Sequence, residues 1–121
     1  MKQTHFSKTK LKSSFINAWR GWRIMRGEQS FMLQIGFGAL AIILAFIFHL
    51  SIVEFCIIIF LFGFVLILEI LNTIIENWLD FIYPKRHPKV ALIKDATAGL
   101  VLAGSILALI IGLIIFGSHL I

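Results

Sequence analysis

Cysteine and charge are the scarce ingredients of this 121-residue chain. The one cysteine, Cys56, excludes an intrachain disulfide, and its place inside an apolar run predicts an inert thiol. Charged residues make up 14% of the sequence and apolar residues 60%, with a mean hydropathy of +0.98; a soluble domain carries about 25% charged and about 45–50% apolar residues. A disordered chain, a collagen-like chain and an ordinary water-soluble globule are thereby excluded. What remains is a small membrane protein, read as a single domain over residues 1–121. Several motifs are missing as well. No G-x-x-x-x-G-K-[ST] occurs, so there is no P-loop. Gly36-x-Gly38 lies within an apolar run and lacks a third glycine. No soluble-kinase loop pattern and no Cys/His cluster for zinc is present.

Apolar sequence is abundant and falls into three runs, Phe31–Leu50, Ile52–Leu79 and Ala96–Gly117. A bilayer core takes about 20 helical residues to cross, and each run can supply them. The alternation of a barrel strand is absent. The expected fold is an all-α membrane protein with three transmembrane helices. Ahead of them, over about residues 6–27, Leu11, Phe15, Ala18, Trp22 and Met25 form one apolar stripe at helical spacing, surrounded by lysines and arginines. Such a basic amphipathic helix belongs at a membrane surface, and packing against the spans is expected too.

The net charge of +5 is an orientation signal in a chain of this kind. Lys2, Lys8, Lys10, Lys12, Arg20, Arg23 and Arg26 precede the first span, and Lys85, Arg86, Lys89 and Lys94 lie between the second and third. The turn near His49–Glu54 and the carboxyl end have none. The amino terminus and the 80–95 loop are therefore expected in the cytoplasm and the carboxyl terminus outside.

Acids within the spans carry the functional signal. Glu69, Asn72, Thr73, Glu76 and Asp80 fall on one helical face within a band about 100° wide. A charge at mid-bilayer costs at least ~2.5–3.5 kcal/mol, so such groups are paired, bind a cation or do chemistry. Asn72 and Thr73 alone would read as glue between helices; two glutamates and an aspartate at one spacing favour a site. Glu28, at the junction of the surface helix and the first span, reads by itself as a solvated charge or a cap. Lys94 and Asp95, where the third run begins, suggest a phosphate seat at a helix amino terminus, or else a snorkelling lysine beside a cap. His87 reads as a loop residue. Gly99 with Ala103, and Gly104 with Ala108 and Gly112, form four-residue repeats that favour close helix packing.

The string Glu69-Ile-Leu-Asn-Thr-Ile-Ile-Glu76-Asn-Trp-Leu-Asp80 resembles the signature of the bacterial diacylglycerol kinase family, whose members include undecaprenol kinases. Lys94-Asp95-Ala-Thr-Ala-Gly99 resembles its second block, and Ala18-Trp19-Arg20-Gly21 and Glu28-x-x-Phe31 its amino-terminal blocks. The resemblance covers nearly the whole chain. It implies a small homotrimeric kinase of the bacterial inner membrane, with sites shared between subunits, that moves the γ-phosphate of ATP to a lipid hydroxyl with Mg²⁺. No nucleic-acid partner is implied. Carried over, Glu69 is the general base and Asn72 shapes the site beside it. Glu28 and Glu76 hold magnesium and touch the nucleotide, and Lys94 contacts phosphate. Asp80, Asp95, Lys85, Arg86 and His87 stand on the nucleotide side, with Lys10 and Asn17 from the surface helix. Phe31, Gln34, Glu69 and Ala98 meet the lipid. Asn17 and Ala18 stand where many members carry an aromatic residue and a serine, and Gln34 replaces a frequent carboxylate or histidine.

The resemblance leaves two substrates, diacylglycerol and undecaprenol. His87-Pro88 and the run Ile93–Gly99 look somewhat more like the undecaprenol branch. The alternative from a different class is a proton-coupled transporter subunit built on Glu69 and Glu76. Clustering of the acids toward one membrane face speaks against it.

Overall fold

The computed structural model describes residues 7–121. Lys2 and the expected helix start at Phe6 lie outside the described residues. Four helices follow one another: α1 (Lys8–Met25), α2 (Gln29–Ile47), α3 (Ile52–Ile82) and α4 (Pro88–Ser118). Among the described residues there is no strand, and α2, α3 and α4 are each long and apolar enough to cross a membrane. The chain is a multi-pass, all-α membrane protein with an amphipathic helix in front. Because the spans alternate in direction, the basic residues of α1 and of the 83–87 loop gather at the same end of the bundle.

Local chemistry sets each helix end. The Ser7 hydroxyl accepts from the Lys10 amide at 3.3 Å and starts α1. The chain turns at Gly27, and Glu28 then takes the N-cap position of α2 without using its side chain as a cap. At the far end of α2, His49 adopts φ 53°. The amides of His49 and Leu50 donate to the carbonyls of Phe46 and Ala45, the double bond pattern that closes a helix through a left-handed residue. This stops α2 at Ile47 rather than at the expected Leu50. Ser51 and Glu54 then form a reciprocal capping box, at 3.2 and 2.9 Å, that begins α3.

The largest difference from expectation concerns α4, which begins at Pro88 and not at Ala96. Pro88 occupies the first helical turn, where its missing N–H costs nothing, and the His87 Nδ1 accepts from the Lys89 amide at 3.1 Å. Lys89, Lys94 and Asp95 depress hydropathy over two turns that are nevertheless helical. Lys94 and Asp95 therefore lie in the second turn of α4, not at its amino terminus. Of the two readings of Lys94 and Asp95, neither a seat at the helix end nor a cap describes their place, because that end belongs to His87 and Pro88. His87 is likewise a cap and not merely a loop residue.

α3 is the central element, packed on α2 by one face and on α4 by another. Met25, Phe31 and Leu66 form the buried nucleus, with Ile35, Phe62 and Ile70 against it. Trp22 meets Phe31 edge-on at 5.6 Å. α1 joins the bundle only through this end: Met25 is buried, while Leu11 and Phe15 of the same stripe stay exposed. The expected packing on the spans thus holds for the last turns of α1 alone. Helices in lipid gain little from hydrophobicity and depend on close contact. Gly38 supplies it against the Phe62 ring and Gly104 against Leu68 and Phe64. Of the small residues in α4, Gly99 and Gly112 have open space beside them; the close approach is at Gly104. At the end away from the loop, His119 Nε2 lies 2.9 and 3.1 Å from the two Glu54 carboxylate oxygens, and Phe48 meets Phe116 edge-on at 5.3 Å. These contacts tie the start of α3 to the end of α4.

A Cβ at position 38 overlaps the Phe62 ring, whereas one at Gly36 meets nothing within 4 Å. Gly38→Ala is expected to destabilise the protein by about 1–3 kcal/mol through overpacking, and Gly36→Ala to be neutral or slightly stabilising. Thermal unfolding in detergent micelles, followed by circular dichroism, checks both.

Candidate functional site

α3 spans 31 residues, about 46 Å at 1.5 Å per residue, against a hydrocarbon core of about 30 Å. Glu69 stands about 26 Å along it, and Glu76 and Asp80 follow nearer its loop end. The angular position of the stripe follows from what surrounds it. Phe62 and Leu66 face α2 and the α1 junction, and Phe64 and Leu68 face α4. At about 100° per residue, Glu69, Asn72 and Glu76 fall in the arc between those two contact rows. The opposite side, with Ile67, Ile74 and Trp78, is exposed and apolar. The acids thus face a cleft flanked by two helices and do not point out into hydrocarbon.

Burial grades along the stripe. Glu69 is 6% exposed and Thr73 is buried, whereas Asn72 and Glu76 are half-buried. The Thr73 hydroxyl donates to the Glu69 backbone carbonyl at 3.1 Å, so it satisfies itself within the helix and leaves the Glu69 carboxylate unencumbered. The Asn72 Nδ2 donates to Glu76 Oε1 at 3.3 Å, and the buried Asn72 Oδ1 has no partner among the described residues. Glu28, in the α1–α2 turn, is exposed and its side chain makes no capping hydrogen bond. Glu69, Asn72 and Glu76 thus share one face of α3, with the Asn72 Oδ1 left as a spare acceptor among the described residues.

The shallow end is built differently. Lys94 of α4 forms an ion pair with Asp80 of α3, and the two side chains are 36% and 61% exposed. A pair so open to water fixes position more than it adds stability. Beyond it lies a hollow of about 540 Å³ lined by Tyr83, Lys85, Arg86 and His87 as well as Asp80 and Lys94. Tyr83 and His87 stand edge to face, 5.3 Å apart. Cationic side chains around an open cavity suit an anionic ligand that arrives from water.

The expected site residues divide accordingly. Glu69, Asn72 and Glu76 share one face of α3, while Glu28 is exposed in the α1–α2 turn; Asp80, Lys85, Arg86, His87 and Lys94 come together at the hollow. Phe31 is fully buried in the nucleus and Gln34 is half-buried one turn further along α2. Lys10 and Asn17 on α1, and Asp95 and Ala98 on α4, are exposed and line neither hollow. A second hollow of about 410 Å³ separates α1 from α3, walled by Trp22, Ile24 and Ile70 and crossed by Thr73 and Asn77. Tyr83 and Asn77 carried no signal in the sequence, because neither belongs to a periodic stripe or a charge cluster. The carboxylate oxygens of Glu28 and Glu76 are hard donors of the kind that suit Mg²⁺. No group of three acidic, histidine or cysteine side chains able to hold a metal occurs among the described residues. A pair of carboxylates fits an ion that completes its shell with phosphate and water.

The chain is similar to known proteins over most of its length. The sequence model of the prokaryotic diacylglycerol kinase family matches residues 16–116. The undecaprenol kinase of Bacillus subtilis (strain 168) is 41% identical over 104 residues, 85% of this chain and 85% of that one.

The gradient of burial predicts a gradient of accessibility. In a Cys56→Ser background, Asp80→Cys is expected to react with a water-soluble maleimide many times faster than Glu69→Cys, with Glu76→Cys in between. Labelling kinetics in micelles provide the measurement, and equal rates at all three positions contradict the described cleft.

Proposed function

The chain belongs to the prokaryotic diacylglycerol kinase family and is a lipid kinase, and from that premise we propose that it phosphorylates undecaprenol with Mg-ATP. The observation that carries this reading is the single stripe on α3 that runs from a buried carboxylate to a water-exposed ion pair beside a basic hollow. A lipid alcohol comes from the hydrocarbon and a nucleotide from water. Phosphoryl transfer between them needs a site with one dry end and one wet end.

In this reading Glu69 takes the proton from the lipid hydroxyl. It is buried, and among the described residues no hydrogen bond engages its side-chain oxygens. Asn72 orients Glu76 through their hydrogen bond and presents its free Oδ1 toward the reacting group. Glu28 and Glu76 hold the magnesium, which when bound neutralises charge on the nucleotide phosphates. Lys94 meets phosphate from the opposite wall, and Lys85, Arg86 and His87 receive the rest of the nucleotide in the hollow. Phosphoryl transfer is achieved mainly by alignment and charge neutralisation, and these side chains supply both.

Undecaprenol is favoured over diacylglycerol by the likeness to the Bacillus subtilis enzyme and by the His87-Pro88 and Ile93–Gly99 segments. The same premise disfavours a proton-coupled transporter, and so does the confinement of the acids to one end of α3. The basic α1 and 83–87 loop support placing the site on the cytoplasmic face of the bacterial inner membrane, with the carboxyl end outside. A homotrimer with shared sites accounts for the large apolar side chains left exposed on all three spans, and for the exposure of Lys10, Asn17, Asp95 and Ala98 in a single chain.

Purified protein in mixed micelles is expected to transfer labelled phosphate from ATP to undecaprenol faster than to diacylglycerol; the reverse preference assigns it to the diacylglycerol branch. Glu69→Gln is expected to lower turnover by about 10²–10⁴-fold, the range of a lost general base, with little change in the KM for ATP. Glu28→Gln is expected to raise the magnesium concentration required, with partial rescue at excess Mg²⁺ that Glu69→Gln does not show. Initial rates across a magnesium series separate the two behaviours.

A further inference from the structure

The ion pair at the shallow end of the stripe has a competitor one turn away. Glu76 and Asp80 are four residues apart on the same face of α3, which sets them about 6 Å apart along the axis and about 40° apart around it. Lys94 reaches that face from α4, and its ammonium is bound to Asp80, not to Glu76. Lys85 and Arg86, in the same hollow, have no acidic partner; among the described residues the ion pairs are Lys94–Asp80 and His119–Glu54. Meanwhile Asn72 holds Glu76 Oε1 from the deeper side. Glu76 is thus held from below by an amide, while Lys94 is engaged one turn above it by Asp80.

We propose that Asp80 is a positioning residue that retains Lys94 and so keeps the Glu76 carboxylate open to a divalent cation. The inference rests on the reading of Glu76 as a magnesium ligand and deepens it. Glu76 is less exposed than Asp80, so an ammonium ion released from Asp80 finds a stronger Coulombic partner there, in a less water-like surrounding. A lysine in that position occupies the carboxylate that the metal requires. Asp80 prevents this without entering the metal's shell, and its exposure lets Lys94 exchange to phosphate once a nucleotide is present.

The test is Mn²⁺ binding to the purified full-length protein in micelles, read from the electron paramagnetic resonance signal of the free ion at millimolar concentration without nucleotide. Asp80→Asn is expected to weaken binding severalfold, and Asp80→Glu, which still reaches Lys94, to restore it. Loss of one negative charge acts through space in any background, so the decisive comparison repeats Asp80→Asn in a Lys94→Ala protein. There the loss is expected to fall to a small part of its original size, because no ammonium remains to move. An equal loss in both backgrounds, or no loss in the first, overturns the role of Asp80. Mn²⁺ binding that is indifferent to Glu76→Gln instead overturns the metal assignment of Glu76, and the inference with it.

Discussion

A buried carboxylate within a membrane-spanning helix governs this structure. Glu69 is nearly inaccessible in a chain that is otherwise short of charge, and its cost, at least ~2.5–3.5 kcal/mol for a charge at the bilayer centre, is lessened by its position on α3. The helix is long enough to carry the stripe out of the membrane on one side, so the deep acid is the bottom of a continuous polar track and not an isolated charge. Thr73 closes on backbone, Asn72 bonds to Glu76, and Asp80 bonds to Lys94. Thr73, Asn72 and Asp80 each bond to a neighbour, and among the described residues no hydrogen bond engages the Glu69 carboxylate, as its proposed role requires.

The remainder of the bundle serves that track by holding α3 at two contact rows and leaving the arc between them clear. Gly38 and Gly104 permit this because each admits a large α3 side chain, Phe62 on one side and Leu68 on the other. The cap at Ser51–Glu54 and the Glu54–His119 pair fix the opposite end of α3. Rotation of α3 by one residue would carry Glu69 toward lipid, so the register set by these distant contacts determines whether the acids face the cleft.

Much of this was legible in the sequence. Three apolar runs of spanning length, an amphipathic basic segment and a polar stripe at helical spacing lead directly to the helices and to Glu69, Asn72 and Glu76. The helix ends were less legible, since hydropathy measures transfer to lipid and not hydrogen bonding. Lys89, Lys94 and Asp95 lower the hydropathy of α4 without breaking it, and the start signal, His87 followed by Pro88, was present but outweighed. Leu50 is apolar yet lies beyond α2, because His49 has already turned the chain. Phe31 could be placed on a helix but not in the nucleus, which depends on how Met25 and Leu66 arrive from other elements. The pairing of Glu54 with His119 joins residues 65 positions apart; the capping box that presents Glu54 is a local pattern, but its distant partner is not.

The two ends of the site pose an electrostatic problem whose solution is visible in the chain's layout. A kinase needs carboxylates to hold a metal and cations to hold phosphate, and these neutralise each other if they meet directly. Here the acids lie on α3 and the α1–α2 turn, and the cations lie on the 83–87 loop and α4. They touch where the structure inserts one further acid, Asp80, against Lys94. With that acid taking up the ammonium, the two sets of charge can stand about one helical turn apart without collapsing together. Separation of unlike charges by a small sacrificial pair is the condition under which one short stripe can serve, as proposed, both a metal–nucleotide and a lipid alcohol.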